Sequence, residues 1–180
     1  MHRCALLVSF SRDVDEILKV LYSRSMNFRT VVSGAGIALV FVYAIGSGIW
    51  VNTGDNWYSN LNRPSWQPPS FIFGLIWPYN FVVLGIAAYV IGQRATKPVG
   101  LVYLLFFAAT VVAALTWAYQ FYRPHNFTAA AIALTLTAVL TLPMMWVLFT
   151  TSWPVALVVV PYQVWVAVAA SLSWGYRALN

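Results

Sequence analysis

Four acidic residues, two histidines and one cysteine are all that 180 positions offer of the side chains on which most enzyme chemistry rests. Asp13, Asp15 and Glu16 lie together near the N-terminus and Asp55 stands alone, so no carboxylate falls within any long apolar run. Paired carboxylates for acid–base work, a nucleophile–histidine–acid triad and a metal cluster are therefore unsupported. A proton-coupled transporter normally carries an ionisable group inside the membrane, and none is present here. Cys4 alone permits no intrachain disulfide. His2 is terminal and His125 falls in a turn, where a solvated imidazole is a simpler reading than an axial ligand to a bound metal.

The formal charge of +6 invites a nucleic-acid reading, but Arg3, Arg12, Lys19, Arg24 and Arg29 precede the first apolar run and are interleaved with three of the acids. Without a recognition motif, that extension resembles a membrane-flanking segment, and no nucleic-acid partner is expected. Met26-Asn27-Phe28-Arg29 reads as a second possible start, which would make residues 1–25 dispensable. The competing reading is an interfacial helix, because Val14, Ile17, Leu18 and Leu21 recur at helical spacing. The expected division is an extension over 1–27, disordered or interfacial, and a membrane domain over 28–180.

What the chain has in quantity is apolar surface. Hydrophobic residues make up 61% and charged ones 8%, with a mean hydropathy of +0.75, more than a soluble core of this size can hide. Lipid is the solvent that suits it. About 20 helical residues cross a hydrocarbon layer of about 30 Å, and runs of that length are expected near 30–50, 70–92, 98–122, 127–149 and 154–174. The fold class is thus an all-α integral membrane bundle of five spans, with a long loop between the first and second. Gly34, Gly46 and Gly48 in the first span point to close helix packing. Pro78, Pro143 and Pro161 fall inside later spans, where each removes a backbone donor and should bend its helix.

Seven basic residues fall on the side of the N-terminus and three on the side of the long loop. That asymmetry places the N-terminus in the cytoplasm and the loop and C-terminus outside, for a bacterial inner-membrane protein. The N-terminal extension supplies most of the bias.

The long loop contains Arg63-Pro64 and Pro68-Pro69, too much proline for a helix, and Trp57, Tyr58 and Trp66, too many rings for a plain tether. It reads as a stiffened lid. Trp50, Trp153, Trp174 and Tyr176 lie near span ends, where an interfacial belt explains them. Trp77, Trp117, Trp146 and Trp165 lie deeper, where the alternatives are helix packing and contact with a flat apolar ligand.

The run Trp57-Tyr58-x-x-Leu61-x-Arg63-Pro64-x-Trp66-x-Pro68-Pro69-x-x-x-Phe73-x-x-x-Trp77 closely resembles the signature of the translocator protein family, also called tryptophan-rich sensory proteins. Trp117 with Phe121-Tyr122, and Pro161-Tyr162-x-x-Trp165 with the terminal Leu179-Asn180, resemble later family stretches, so the likeness covers about residues 28–180. The resemblance implies a five-helix bundle, often a homodimer, that binds protoporphyrin IX and haem, and in animals cholesterol. Carried over, it implies a ligand site of Tyr58, Arg63, Trp66, Trp77, Phe81, Trp117, Phe121, Trp165 and Ala169, with no obligatory cofactor and no metal. Its expected role is porphyrin transport, sensing or stress regulation. The alternatives are light-dependent porphyrin breakdown, for which Trp77 and Trp165 are the catalytic candidates, and a sterol or lipid carrier. A small-residue face at Ala109 and Ala113, with Leu105 and Val112, suggests dimerisation through the third span.

Three positions depart from the pattern. Ala114 stands where the family often has asparagine, Phe81 where tyrosine is common, and Ser173 where asparagine is frequent. Leu115 to Arg123 fits the loose sterol pattern, whereas Tyr176-Arg177 lacks its spacer.

Overall fold

A computed structural model describes residues 27–51 and 56–180; the readings of residues 1–25 lie outside the described residues. Five long helices carry the chain: α1 (Asn27–Trp50), α3 (Ser70–Arg94), α4 (Lys97–Tyr122), α5 (Phe127–Thr151) and α6 (Trp153–Leu179). Each is long and apolar enough to cross a membrane, and the protein is an integral multi-pass membrane protein. A single turn, α2 (Asn56–Ser59), lies in the loop between α1 and α3 and was not expected from its sequence.

The helix ends follow local chemistry. Pro98 and Pro154 occupy the first turns of α4 and α6, where the missing donor costs nothing. The Asn126 side chain caps α5 by accepting from the Ala129 amide at 3.0 Å. The expected turn at 150–153 shrinks to Ser152 alone, whose amide still donates to Leu148 O at 2.8 Å. Helix α6 runs five residues past the expected end because Gly175 does not break it in apolar surroundings and nothing after it does either. Pro78, Pro143 and Pro161 are all absorbed inside continuous helices.

The helices close into a ring. Helix α4 packs on α5, α5 on α6 and α6 on α3. The circle is completed by α1, which meets α3 and α4 at glycines. A Cβ on Gly36 would come within 2.6 Å of the Ala88 Cβ, and one on Gly46 within 2.8 Å of Leu115 Cδ2. Of the three glycines expected to serve packing, only Gly46 does; Gly34 and Gly48 face open space, and Gly36 makes the closer approach. Side chains such as Leu105, Val112 and Trp146 point outward, as lipid-facing residues should. Trp146, at 72% exposed, is therefore neither core packing nor part of an interior site.

The chain direction puts the C-terminal ends of α1, α4 and α6 and the N-terminal ends of α3 and α5 at one end of the ring. Residues 56–69 of the α1–α3 connection cover that end.

Candidate ligand site beneath the α1–α3 connection

The connection is fastened to the bundle at three places. Trp57 stacks on His125, ring centroids 3.7 Å apart and planes 15° off parallel, and lies parallel to Phe127 at 6.1 Å. His125 holds a left-handed backbone, φ 57°, in the α4–α5 turn. It is solvent-exposed, as expected, but it also forms a seat for the lid. At the second point Pro64 and the Trp66 ring lie on Gly175 of α6, so close that an added Cβ would meet Pro64 Cγ at 2.6 Å and Trp66 Cζ2 at 2.8 Å. Only glycine lets the lid lie this low on the helix. The third fastening joins Asn62 to the chain terminus: its amide donates to Asn180 Oδ1 at 2.9 Å, and Asn180 Nδ2 donates back to Asn62 O at 3.1 Å.

Beneath the lid sits a cluster of rings. Phe121 is almost fully buried at its centre, with Trp57, Tyr58, Trp117, Tyr122, Phe127 and Tyr176 around it at centroid distances of 5.0–6.5 Å. Most pairs are tilted or edge-on, the geometry that the ring quadrupoles favour. The Tyr176 hydroxyl donates to Gln67 Oε1 of the lid and lies 3.4 Å from the Tyr58 hydroxyl. The belt reading of Tyr176 is thus replaced by a core one: it lies 11 residues after Trp165, on the same helical face, and only 4% of it is exposed. Trp153 and Trp174 keep the exposure that a belt requires.

A second set of rings lies deeper. Trp77 stacks on Phe81 at 5.7 Å and meets Tyr43 of α1 edge-on at 6.0 Å; Trp165 meets Phe73 edge-on at 5.0 Å. Trp117 borders both sets, packing against the lid cluster and the main core, and Ala169 lies against that core one turn from Trp165.

Of the nine expected ligand residues, the structure gathers Tyr58, Trp117 and Phe121 in the upper set. It places Trp77 and Phe81 together in the lower one, and brings Trp165 and Ala169 to the same core. Arg63 is solvent-exposed at the rim, its guanidinium 5.8 Å from the Tyr58 ring centroid. Trp66 is 55% exposed and serves as a fastening on Gly175. Sequence reasoning did not find Gln67, Asn62 or the seat at His125. The first two are polar loop residues with no periodic context, and the third depends on a turn conformation.

The polar groups of the interior carry the chemistry. Trp117 Nε1, Trp165 Nε1 and the Ser173 hydroxyl are buried, and none has a hydrogen-bond partner. Leaving such a donor unpaired costs about 1–3 kcal/mol. Ser173 lies two turns beyond Trp165 on the same face of α6. The arrangement therefore offers flat apolar walls, a few fixed donors within them, and the Arg63 guanidinium at the rim. A separate groove of about 440 Å³ opens to lipid between α1 and α3; it is lined by Ile37, Val40, Phe41, Ile86 and others, and shares Phe81 with the lower ring set.

Residues 36–179 match the TspO/MBR family along almost the whole described bundle. The chain belongs to the TspO/MBR family. Among its relatives are protein CrtK of Rhodobacter capsulatus, 28% identical over 125 residues, covering 69% of this chain and 78% of that one. Tryptophan-rich protein TspO of Chlorobaculum tepidum is 29% identical over 146 residues, 81% of this chain and 92% of its own. The translocator protein of Ovis aries is 27% identical over 152 residues, covering 81% and 83%. The matched range begins inside α1 and ends at Leu179, so in this TspO/MBR protein the lid and its seat on Gly175 fall within it, and Asn180 lies one residue beyond.

Proposed function

We propose that this TspO/MBR protein is a membrane tetrapyrrole-binding protein, taking protoporphyrin IX or haem beneath its lid for transport, sensing or stress regulation. The observation that carries the reading is the pair of buried, unpartnered indole N–H groups of Trp117 and Trp165, set among stacked rings. A tetrapyrrole has broad π-faces for those rings, acceptor atoms for the donors, and acid side chains that suit the exposed guanidinium of Arg63. A sterol offers neither acids nor an aromatic face, so it would leave both Arg63 and the stacked walls unused. The family relationship supports the same reading through the residues shared with the signature, Tyr58, Arg63, Trp77, Trp117 and Trp165.

The test is titration of protoporphyrin IX into the purified protein in lipid nanodiscs, followed by its Soret absorbance, for wild type and for Trp117→Phe/Trp165→Phe. Saturation near one porphyrin per chain, weakened about tenfold or more in the double variant, is the expected result. Absorbance that rises linearly, as it does with empty nanodiscs, would refute it.

A further inference from the structure

The groove between α1 and α3 lies outside the lidded site, yet it is bounded at both ends. Its walls are Ile37 and Phe41 on α1 and Gly85, Ile86 and Tyr89 on α3. The four larger side chains of this set are exposed on the surface that faces lipid. Gly85 hollows the α3 wall, since a Cβ added there would meet nothing within 4 Å. Towards the lid the groove stops at the Phe81 ring, which is held by Trp77 at 5.7 Å and by Tyr43 at 5.4 Å.

The other end is closed by polar groups. Gln93 follows Tyr89 by one turn on the same face of α3, and its Nε2 donates to Ser33 Oγ of α1 at 3.3 Å. Ser33 in turn donates to Tyr89 O at 3.4 Å, one turn before Ile37. Beside this rung the two helices touch at Gly92, where an added Cβ would lie 2.7 Å from Ser33 N and 3.0 Å from Arg29 O. That contact sets the exposed Arg29 at the end of the same seam. Arg94, which donates to Ser152 Oγ at 3.4 Å, and Lys97 add positive charge at this end of the bundle. Among the described residues no acidic side chain offsets them.

Depth and charge together define what fits. Tyr89 lies five residues before Arg94 and Phe81 thirteen, so the groove occupies about 7 to 20 Å below the helix end at about 1.5 Å per residue. This is the depth of one leaflet, half of a hydrocarbon layer about 30 Å thick. The whole seam therefore suits an amphiphile, with an acidic head at Arg29 and Gln93 and an apolar chain running along Gly85 to Phe81. A sterol head is uncharged and would leave the cations unanswered. A second copy of the chain would bring further cations to them and no described carboxylate. A phosphate diester answers them directly, through charge-assisted hydrogen bonds from the guanidinium.

We propose that the α1–α3 groove binds one anionic phospholipid of the leaflet in which α1 begins, with an acyl chain lying over Gly85 and the headgroup phosphate at Arg29 and Gln93. The site is independent of the tetrapyrrole reading and borders the lidded one only through Phe81.

Native mass spectrometry of the purified full chain tests it, with dioleoylphosphatidylglycerol or dioleoylphosphatidylcholine titrated in detergent into wild type, Gly85→Leu and Arg29→Gln. Wild type should bind one phosphatidylglycerol per chain saturably, about fivefold or more tighter than phosphatidylcholine. Gly85→Leu fills the hollow and should weaken both lipids about tenfold. Arg29→Gln should cut the headgroup preference about threefold or more, with phosphatidylcholine affinity held within about twofold. It is an exposed change at a helix end, so it reports even if Gly85→Leu misfolds. Adducts that never saturate, or equal affinities for both lipids in all three proteins, would overturn the site. Lipid binding that survives Gly85→Leu while the oligomeric state changes would make the groove an interface between copies and overturn it equally.

Discussion

Asn62 and Asn180, 118 residues apart, exchange a pair of hydrogen bonds that ties the lid to the last residue of the chain. The Asn62 amide and carbonyl are both engaged, so the bond pair mimics two rungs of a sheet between a loop and a helix end. The Asn62 side chain adds a third bond, to Leu179 O at 3.2 Å. Closure of the site is thereby linked to the C-terminal turn of α6.

Removing that link should free the lid without loosening the bundle. Asn180→Ala deletes both exposed hydrogen bonds to Asn62, together with the one from Nδ2 to Tyr176 O; with each bond to the lid contributing about 0.5–1.5 kcal/mol, the dissociation rate of protoporphyrin should rise about fivefold to a hundredfold. Stopped-flow displacement measures it. An unchanged rate would mean that the lid does not gate the site.

Gly175→Ala attacks the lid from beneath. Its Cβ would lie 2.6 Å from Pro64 Cγ and 2.8 Å from Trp66 Cζ2, so the proline must lift. Thermal stability should change little, since alanine favours helix over glycine by about 1 kcal/mol, while porphyrin affinity should fall severalfold. Affinity equal to wild type would place the ligand elsewhere.

Packing at the α1–α3 crossing gives a paired prediction with an internal control. In Gly36→Ala the new methyl meets the Ala88 Cβ at 2.6 Å, and overpacking of this kind costs about 1–3 kcal/mol. Gly34→Ala, with nothing within 4 Å of its new Cβ, should leave stability unchanged or slightly higher. Melting temperatures in one detergent decide between them; equal values would contradict the described helix approach.

Trp165→Phe separates binding from folding. The unpartnered indole N–H costs the empty protein about 1–3 kcal/mol, which offsets the packing that the smaller ring gives up, so the apo melting temperature should stay within a few degrees of wild type. The rise in melting temperature on adding porphyrin should shrink by about half or more. An equal loss of apo stability and ligand response would mark Trp165 as a packing residue only.

How much of this was legible in the sequence varies with the physics involved. The five spans were plain, because twenty apolar residues without charge have few other structures available in lipid. Trp77 and Trp117 were placed inside their spans by position alone, whereas Phe81 and Phe121 came only from the resemblance to the family. Tyr176 was misread as an interfacial residue because α6 continues past Gly175, where the lid lies over it. Trp146 was equally central in its span yet faces lipid, and only the rotation of α5 against its neighbours decides that. The lid's fastenings at Asn62, Gln67 and His125 are long-range pairings with no local signature.

The most direct test of a site beneath the lid is amide hydrogen exchange across residues 56–67 in nanodiscs, with and without saturating protoporphyrin IX. The account predicts that exchange at Trp57, Tyr58 and Gln67 slows about tenfold or more when porphyrin binds. Saturable binding that leaves lid exchange unchanged, with protection confined to the α1–α3 groove around Phe41 and Ile86, would contradict it.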